Sequence, residues 1–309
     1  MLTLLLTTFL TLVELNCENL FDTRHDSLKQ DQEYLPEAVR RWTGKRYWKK
    51  LNNISQELLS TTDDGIPDLI ALCEVENDTV LHDLTRRSLL RHAGYEYVMT
   101  ASPDLRGIDV ALLYSKFSFQ LIRSYGLRVE PVKGMRPTRD ILYAAGRTLS
   151  GDTVHVLVVH APSRYGGERY SRPFRMAVIE RLCQTIDSVQ TTSADAQIVV
   201  AGDFNDYANS KVLKRIGQHR MKNITRDACG LHGVTGTYRY RGEWQSLDHI
   251  FASHSLYNKV DTSFIHAPLF LLEDDELYGG YRPRRTYHGM RYQQGYSDHL
   301  PLVVRFRWD

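Results

Sequence analysis

The sequence predicts an α/β chain organised around a large mixed β-sheet framework, and three observations predict it. Short apolar runs bounded by turn residues recur from end to end, the pattern of buried and half-buried strands. Fewer helical stretches lie among them, without strict strand–helix alternation, which disfavours a simple alternating barrel. No low-complexity linker or fixed-period repeat interrupts the pattern, so residues 1–309 read as one domain. A hydrophobic share of 42% with 25% charged residues is enough for a sizeable core.

In chain order, the first apolar stretch is Leu2 to Val13. It lacks a basic start and a small-residue cleavage site, and it is too short to span a bilayer. It runs straight into Glu14-Leu15-Asn16-Cys17-Glu18-Asn19, so it reads as the start of the first strand, which favours a cytoplasmic protein. A degenerate export signal is the lesser reading. The predicted strands are Leu10 to Asn16, Asp68 to Cys73, Tyr95 to Met99, Ile108 to Tyr114, Phe119 to Leu127, Ile141 to Thr148 and Thr153 to His160. Ile198 to Ala201, Gly236 to Tyr240, Ser246 to Ala252 and Leu302 to Phe306 follow. Helices are predicted for Lys49 to Ser60, for Asp78 to His92, and after Ser171, which would cap a helix with Pro173 in its first turn. There Met176, Ile179, Leu182, Cys183, Ile186 and Val189 fall on one face. The connection from Pro268 to Ser297 has few strand signals, and so long a connection is usually functional or disordered.

The net charge of +2 calls for no polyanion partner by itself, so affinity for phosphate must come from local clustering. Cys17, Cys73, Cys183 and Cys229 lie far apart without zinc spacing, and no disulfide framework is expected. No further segment resembles a transmembrane helix, and none resembles a membrane-binding amphipathic one.

Chemistry is concentrated at strand ends. The apolar run Ile198-Val199-Val200-Ala201 leads into Gly202-Asp203-Phe204-Asn205-Asp206, a buried strand delivering acids and an amide to its mouth. Leu69 to Cys73 ends in Glu74, which reads either as a carboxylate paired to an arginine or as a ligand for a hard cation such as Mg²⁺. Val156 to Val159 ends in His160, followed by Ser163, Arg164 and two glycines, groups suited to phosphate oxygens. Asp248 in Ser-Leu-Asp-His-Ile-Phe is flanked by apolar residues and needs a partner, for which a histidine is the natural choice. Asp298-His299 stands just before the final strand.

Together these residues resemble the endonuclease/exonuclease/phosphatase superfamily, the deoxyribonuclease-I-like fold, over nearly the whole chain. The resemblance runs in order through Asn16 in LNCENLFD, Glu74 in LCEVEN, His160 in VVHAPSR, Asp203 and Asn205 in GDFND, Asp248 in SLDHIF and Asp298-His299 in SDHLP. It implies a four-layer sandwich, two packed mixed β-sheets flanked by helices, with the site at one end. It also implies metal-assisted hydrolysis of a phosphate ester by water. Glu74 would hold Mg²⁺, with Asp298 as a helping ligand and Mn²⁺ or Ca²⁺ as alternative ions. Asp203 would orient and deprotonate the water, and Asn205 and Asn16 would donate to phosphoryl oxygens and position the Asp203 carboxylate. His299, oriented by Asp248, would bind or protonate the phosphate, with His160 opposite. Asp109, at a strand start, fits as the partner of His160; a salt bridge to Arg106 or Arg139 is the equal alternative.

Two basic–aromatic stretches bear on the substrate, Arg40 to Lys50 and Tyr281 to Tyr292. The first reads better as a solvated helix face with a tryptophan packed inward. The second directly precedes Asp298-His299, and its Arg284 and Arg285 are expected to contact substrate. A nuclease acting on DNA or RNA is therefore the leading expectation. The core motifs are shared with phosphatases of small organic, inositol or lipid phosphates and do not separate them. A catalytically inactive binding scaffold is the third reading, and retention of Glu74 and His299 counts against it.

Overall fold

The computed structural model describes residues 8–63 and 65–308. Strands and helices follow in chain order. Strands β1 (Thr8–Leu20), β2 (Leu69–Val75), β3 (Tyr95–Met99) and β4 (Asp109–Ser115) are joined by helices α1 (Gly44–Leu59) and α2 (Asp78–Arg86). Strands β5 (Phe119–Leu127), β6 (Ile141–Thr148) and β7 (Thr153–His160) precede α3 (Glu168–Thr192) and β8 (Gln197–Asp203). Helix α4 (Lys211–Gly217) and β9 (Met221–Asn223) come next, then β10 (Tyr238–Tyr240), β11 (Glu243–Gln245) and β12 (Asp248–Ser253). The chain closes with α5 (His254–Tyr257), β13 (Val260–Ile265), β14 (Leu272–Asp274), β15 (Tyr281–Pro283), β16 (Tyr287–His288), β17 (Arg291–Tyr292) and β18 (Leu302–Trp308).

Two six-stranded mixed sheets form, in the orders β13-β18-β1-β2-β4-β3 and β5-β6-β7-β8-β12-β9. Alternation along each strand builds three cores. Leu12, Cys73, Val156, Val158, Val199, Ala201 and Ile250 meet between the sheets. Val13, Leu15, Ile70 and Leu72 face α1 and α2 through Ile54, Leu58 and Leu81. Leu157, Val159, Ile198 and Val200 face α3 through Ile179, Leu182 and Ile186. The layers therefore run helix, sheet, sheet, helix, as the four-layer expectation has it.

The first strand begins at Thr8, which fits a strand start; the part of that expectation on residues 2–7 lies outside the described residues. Helix α3 corrects one prediction. It starts at Glu168, so Ser171 lies inside, donating its hydroxyl to Gly167 O, and Pro173 is interior rather than in the first turn. The fully buried Arg175 holds this first stretch, bonding Glu168, Ser171 and Asp206. The connection from Pro268 to Ser297 is ordered as two short ribbons, β14 with β15 and β16 with β17. All four cysteines are free, and only Cys229 is exposed. Among the described residues no helix is long and apolar enough to cross a membrane.

Candidate active site

Each main sheet contains one parallel pair, β1 with β2 and β7 with β8. Parallel strands deliver their carboxyl ends to the same edge, where ligands gather in such sheets. Asn16, His160 and Asp203 continue the alternation of Leu12, Val158 and Ala201, so they emerge from the inter-sheet layer at one end. Asp203 lies opposite His160 on one side and Asp248 on the other in the strand register. Gly202 makes this approach possible: its φ is +149°, and a Cβ there would lie 1.8 Å from Val159 O.

Glu74 breaks the alternation. Cys73 faces the inter-sheet core, so regular β2 would turn Glu74 toward the helices. A register shift between Cys73 and Val75 and a left-handed φ of 63° at Glu74 re-aim it. Glu18, Asn19 and Asn205 also have positive φ, at 49°, 56° and 50°. Strained non-glycine backbone grouped at one strand mouth is typical of a working site.

Asp203 is held by three hydrogen bonds, with a histidine nearby. Its Oδ1 accepts from Asn205 N at 2.7 Å, and its Oδ2 accepts from Nδ2 of Asn16 and of Asn205, each at 3.1 Å. His160 Nε2 lies 3.7 Å from Oδ2. Burial, then the neighbouring Asp248, push the Asp203 pKa up to about 7. His160 is driven the other way: burial and then Arg139 lower its pKa well below the ordinary value, so it stays neutral at pH 7.

His299 Nδ1 donates to Asp248 Oδ2 at 2.7 Å, and the same oxygen accepts from Thr237 Oγ1. Burial alone would lower the His299 pKa, but the Asp248 carboxylate outweighs it and holds it well above the usual range. The imidazolium ring sits 5.0 Å from the Tyr238 ring. Asp203, Asp248 and His299 are the group of three metal-capable side chains that draws together among the described residues. The His299–Asp248 hydrogen bond, with the Asp203 carboxylate close by, suits acid–base chemistry.

A divalent ion fits better at Glu74. Oε2 accepts from Asn19 N at 2.8 Å, whereas Oε1 has only longer contacts, 3.7 Å to Arg106 and 3.9 Å to His160 Nε2. A partly exposed carboxylate oxygen with no short bond matches a hard cation that keeps waters and substrate oxygens in its shell. Asp298, expected to help, is engaged elsewhere: it accepts from Arg285 at 2.8 Å. Burial acts to raise its pKa, and Arg285 and His299 overcome that and hold it below the ordinary value.

Other expectations need correction. Asp109 does not pair with His160. It shares the alternation of Ala111 and Leu113 on the helix-facing side and accepts from Thr100 Oγ1 and Ser102 N. Neither alternative salt bridge forms, since Arg106 is near Glu74 and Arg139 binds Asp104. His160 Nδ1 is left without a hydrogen-bond partner. Asp206, beside Asp203 in sequence, is structural, anchored by Arg175 at 3.0 Å. Ser163 is exposed, and Arg164 lies over the Tyr207 ring at 4.4 Å. Arg284 is exposed, but Arg285 is bound to Glu18 and Asp298.

The two basic–aromatic stretches interlock. Arg40 stands between the rings of Tyr34 and Tyr287, 5.4 and 5.1 Å from their centroids, and Arg46 covers Tyr292 at 4.4 Å. Trp42 is buried, as a packed tryptophan should be. Lys50, expected on a solvated face, is also buried, donating to Thr286 Oγ1 at 2.7 Å and to Tyr296 O, 3.8 Å from Glu18. Glu18 and Lys50 thus join the site region unannounced. Glu18 lay inside a recognised motif, while nothing marked Lys50 apart from its basic neighbours. Beside them opens a polar cavity of 220 Å³ lined by Asn19, Arg40, Arg285, Thr286 and Tyr287 among others. A larger cavity of 590 Å³, around Tyr114 to Leu121, contains no acid or histidine.

A sequence model of the Endonuclease/Exonuclease/phosphatase family matches residues 11–307. No curated protein sequence matches the chain. Among solved structures, the chain is similar to an endonuclease/exonuclease/phosphatase family protein from Bacteroides thetaiotaomicron, at 15% identity and TM-score 0.64 over 98% of this chain and 99% of that one. It is similar also to a mannosyl-6-phosphatase of Bacteroides thetaiotaomicron, at 14% identity and TM-score 0.64, covering 96% and 98%. The human Nocturnin catalytic domain with bound sulfate shares 20% identity at TM-score 0.58, covering 97% of each chain. At these identities the likeness speaks for the fold.

Proposed function

The chain belongs to the Endonuclease/Exonuclease/phosphatase family, and we propose that it is a metal-dependent phosphoesterase whose residues 1–309 act as one catalytic domain. The observation that carries this reading is the meeting of Asp203, held by two asparagines, with the charged His299–Asp248 pair. Asp203, poised near neutrality, takes the proton from the attacking water. Asn16 and Asn205 fix the orientation of its carboxylate. His299, locked through Nδ1, presents its other ring nitrogen to a phosphoryl oxygen, and Asp248 keeps it charged. Neutral His160 faces the same space from β7. Glu74 would hold Mg²⁺, with Mn²⁺ or Ca²⁺ also suited to an oxygen ligand. Such an ion neutralises charge on the phosphate when bound.

For the substrate, a compact phosphoester is the better-supported reading. The stretch expected to grip a polynucleotide spends Arg285 on Glu18 and Asp298, and its rings on one another and on Arg40 and Arg46. What adjoins the site is a small polar cavity. The fold is shared with a mannosyl-6-phosphatase, and a sugar phosphate is a substrate of that compact kind. The nuclease reading has its own support: Tyr165, Arg169, Tyr170 and Arg172 are exposed just after the His160 strand, where a nucleic acid strand could stack and pair.

A panel of sugar phosphates, a chromogenic diester, single- and double-stranded DNA and RNA, with Mg²⁺ and with chelator, tests both levels. Metal-dependent phosphate release from the small esters is expected. Turnover of polynucleotides alone would transfer the substrate to the second reading, and no turnover of any phosphoester by folded, metal-loaded protein would end the enzymatic one.

A further inference from the structure

Glu14 sits in the middle of β1, fully buried, and neither of its carboxyl oxygens has a hydrogen-bond partner. It shares the inter-sheet alternation with Leu12 below and Asn16 above, and Asn16 reaches Asp203. Glu14 is therefore one step deeper on the face that opposes β8 and β12. An ionised carboxylate there would face a large desolvation cost, and a neutral one still needs an acceptor for its proton. A second orphan lies at hand. Asp248 Oδ2 takes both His299 and Thr237, whereas its Oδ1 is buried and unpartnered.

The two deficits are complementary: one group has a proton to give, the other an empty acceptor. We propose that Glu14 is a positioning residue for the phosphoesterase site, a buried carboxylic acid whose proton is shared with Asp248 Oδ1 and which thereby extends the Asp248–His299 pair inward. The inference rests on the reading of that pair given under Proposed function. Burial, then the fields of Asp248 and Asp203, keep the Glu14 pKa well above the ordinary value, with His299 acting in the opposite sense. The other titratable group facing it is Cys73 on β2, whose thiol donates to Val159 O.

A donor on Oδ1 draws charge away from the oxygen that holds His299 and so moderates how tightly His299 keeps its proton. Without it Asp248 becomes the stronger base and His299 titrates higher.

The test uses the full chain without substrate. Infrared difference spectra between wild type and Glu14→Gln at neutral pH should show a carboxylic-acid C=O band lost in the variant. The His299 ring, followed by NMR, should titrate higher in Glu14→Leu by about one pH unit. Glu14→Gln, whose amide can still donate to Asp248, should leave the His299 midpoint near the wild-type value. Absence of the carboxylic-acid band, or identical His299 titration in wild type and Glu14→Leu, overturns the proposal. So does an equal shift in the Gln and Leu variants. If Glu14→Leu does not fold, the infrared comparison still decides. Because no readout depends on turnover, failure here leaves the phosphoesterase reading separately testable.

Discussion

His299 and Asp248 are joined through Nδ1 and Oδ2 at 2.7 Å although 51 residues separate them in sequence. The bond fixes the ring's orientation and keeps it cationic, so the opposite nitrogen presents a proton to the cleft. His299→Gln should lower kcat by roughly 10²–10⁴-fold with little change in Tm, since general acid–base groups contribute on that scale. Asp248→Asn should bring the His299 midpoint down, as NMR titration of the ring would show. An unchanged midpoint would mean that the pair does not govern the ring's charge.

Asp203 sets a pH dependence for rate and another for stability. As the base it must be deprotonated, so kcat/KM should rise with pH up to about 7. Asp203→Asn should remove that limb along with most turnover. For stability the sign is opposite. The folded pKa lies above the ordinary 3.8, so the contribution is complete below 3.8 and is lost as pH rises through about 7. Asp203→Asn should therefore melt higher than wild type in mildly alkaline buffer, and a lower Tm there would contradict the burial argument.

Glu57 provides a test away from the chemistry. Both its oxygens are buried without hydrogen-bond partners, and burial raises its pKa from 4.5 to about 8 against the pull of Lys50. Its stabilising share is present below 4.5 and disappears as pH climbs through about 8. Glu57→Met should flatten the alkaline decline of Tm, a difference on the order of a few kcal/mol. Parallel Tm–pH curves for the two proteins would show that Glu57 is ionised in the folded state at no cost.

Glu74→Gln should weaken Mg²⁺ or Mn²⁺ binding by about 10–100-fold or more, the scale on which losing even a supporting group acts. Calorimetry on substrate-free protein would measure it. Wild-type affinity in the variant would move the ion elsewhere in the cleft.

Substrate size can be read from two sets of arginines. Arg40→Ala, at the polar cavity, should raise KM for a sugar phosphate while sparing a chromogenic diester. Arg169→Ala with Arg172→Ala should matter only for polynucleotides, reducing the salt dependence of their cleavage by up to about one unit of log–log slope per lost contact. The reverse pattern would favour the nuclease reading.

Much of this was legible from one-dimensional pattern. Apolar runs bounded by turn residues located most strands within a few residues, and acids or histidines closing those runs marked Asp203 and His160 as mouth residues. Where local pattern misled, a longer-range contact had overridden it. Lys50 looked solvated because its neighbours are basic, yet Thr286 and Tyr296, more than two hundred positions away, satisfy its ammonium inside the protein. Arg285 looked available because nothing adjacent opposes it, while Glu18 waits across the fold.

By itself the chain of residues determined the inventory of reactive groups and which strands carry them, because strand burial and the chemistry of a terminal residue are local properties. Folding in three dimensions decided which acid serves which histidine and which way Glu74 points. Those outcomes hang on register and on a single inserted bulge residue, and a shift of one position turns a side chain to the opposite face of the sheet.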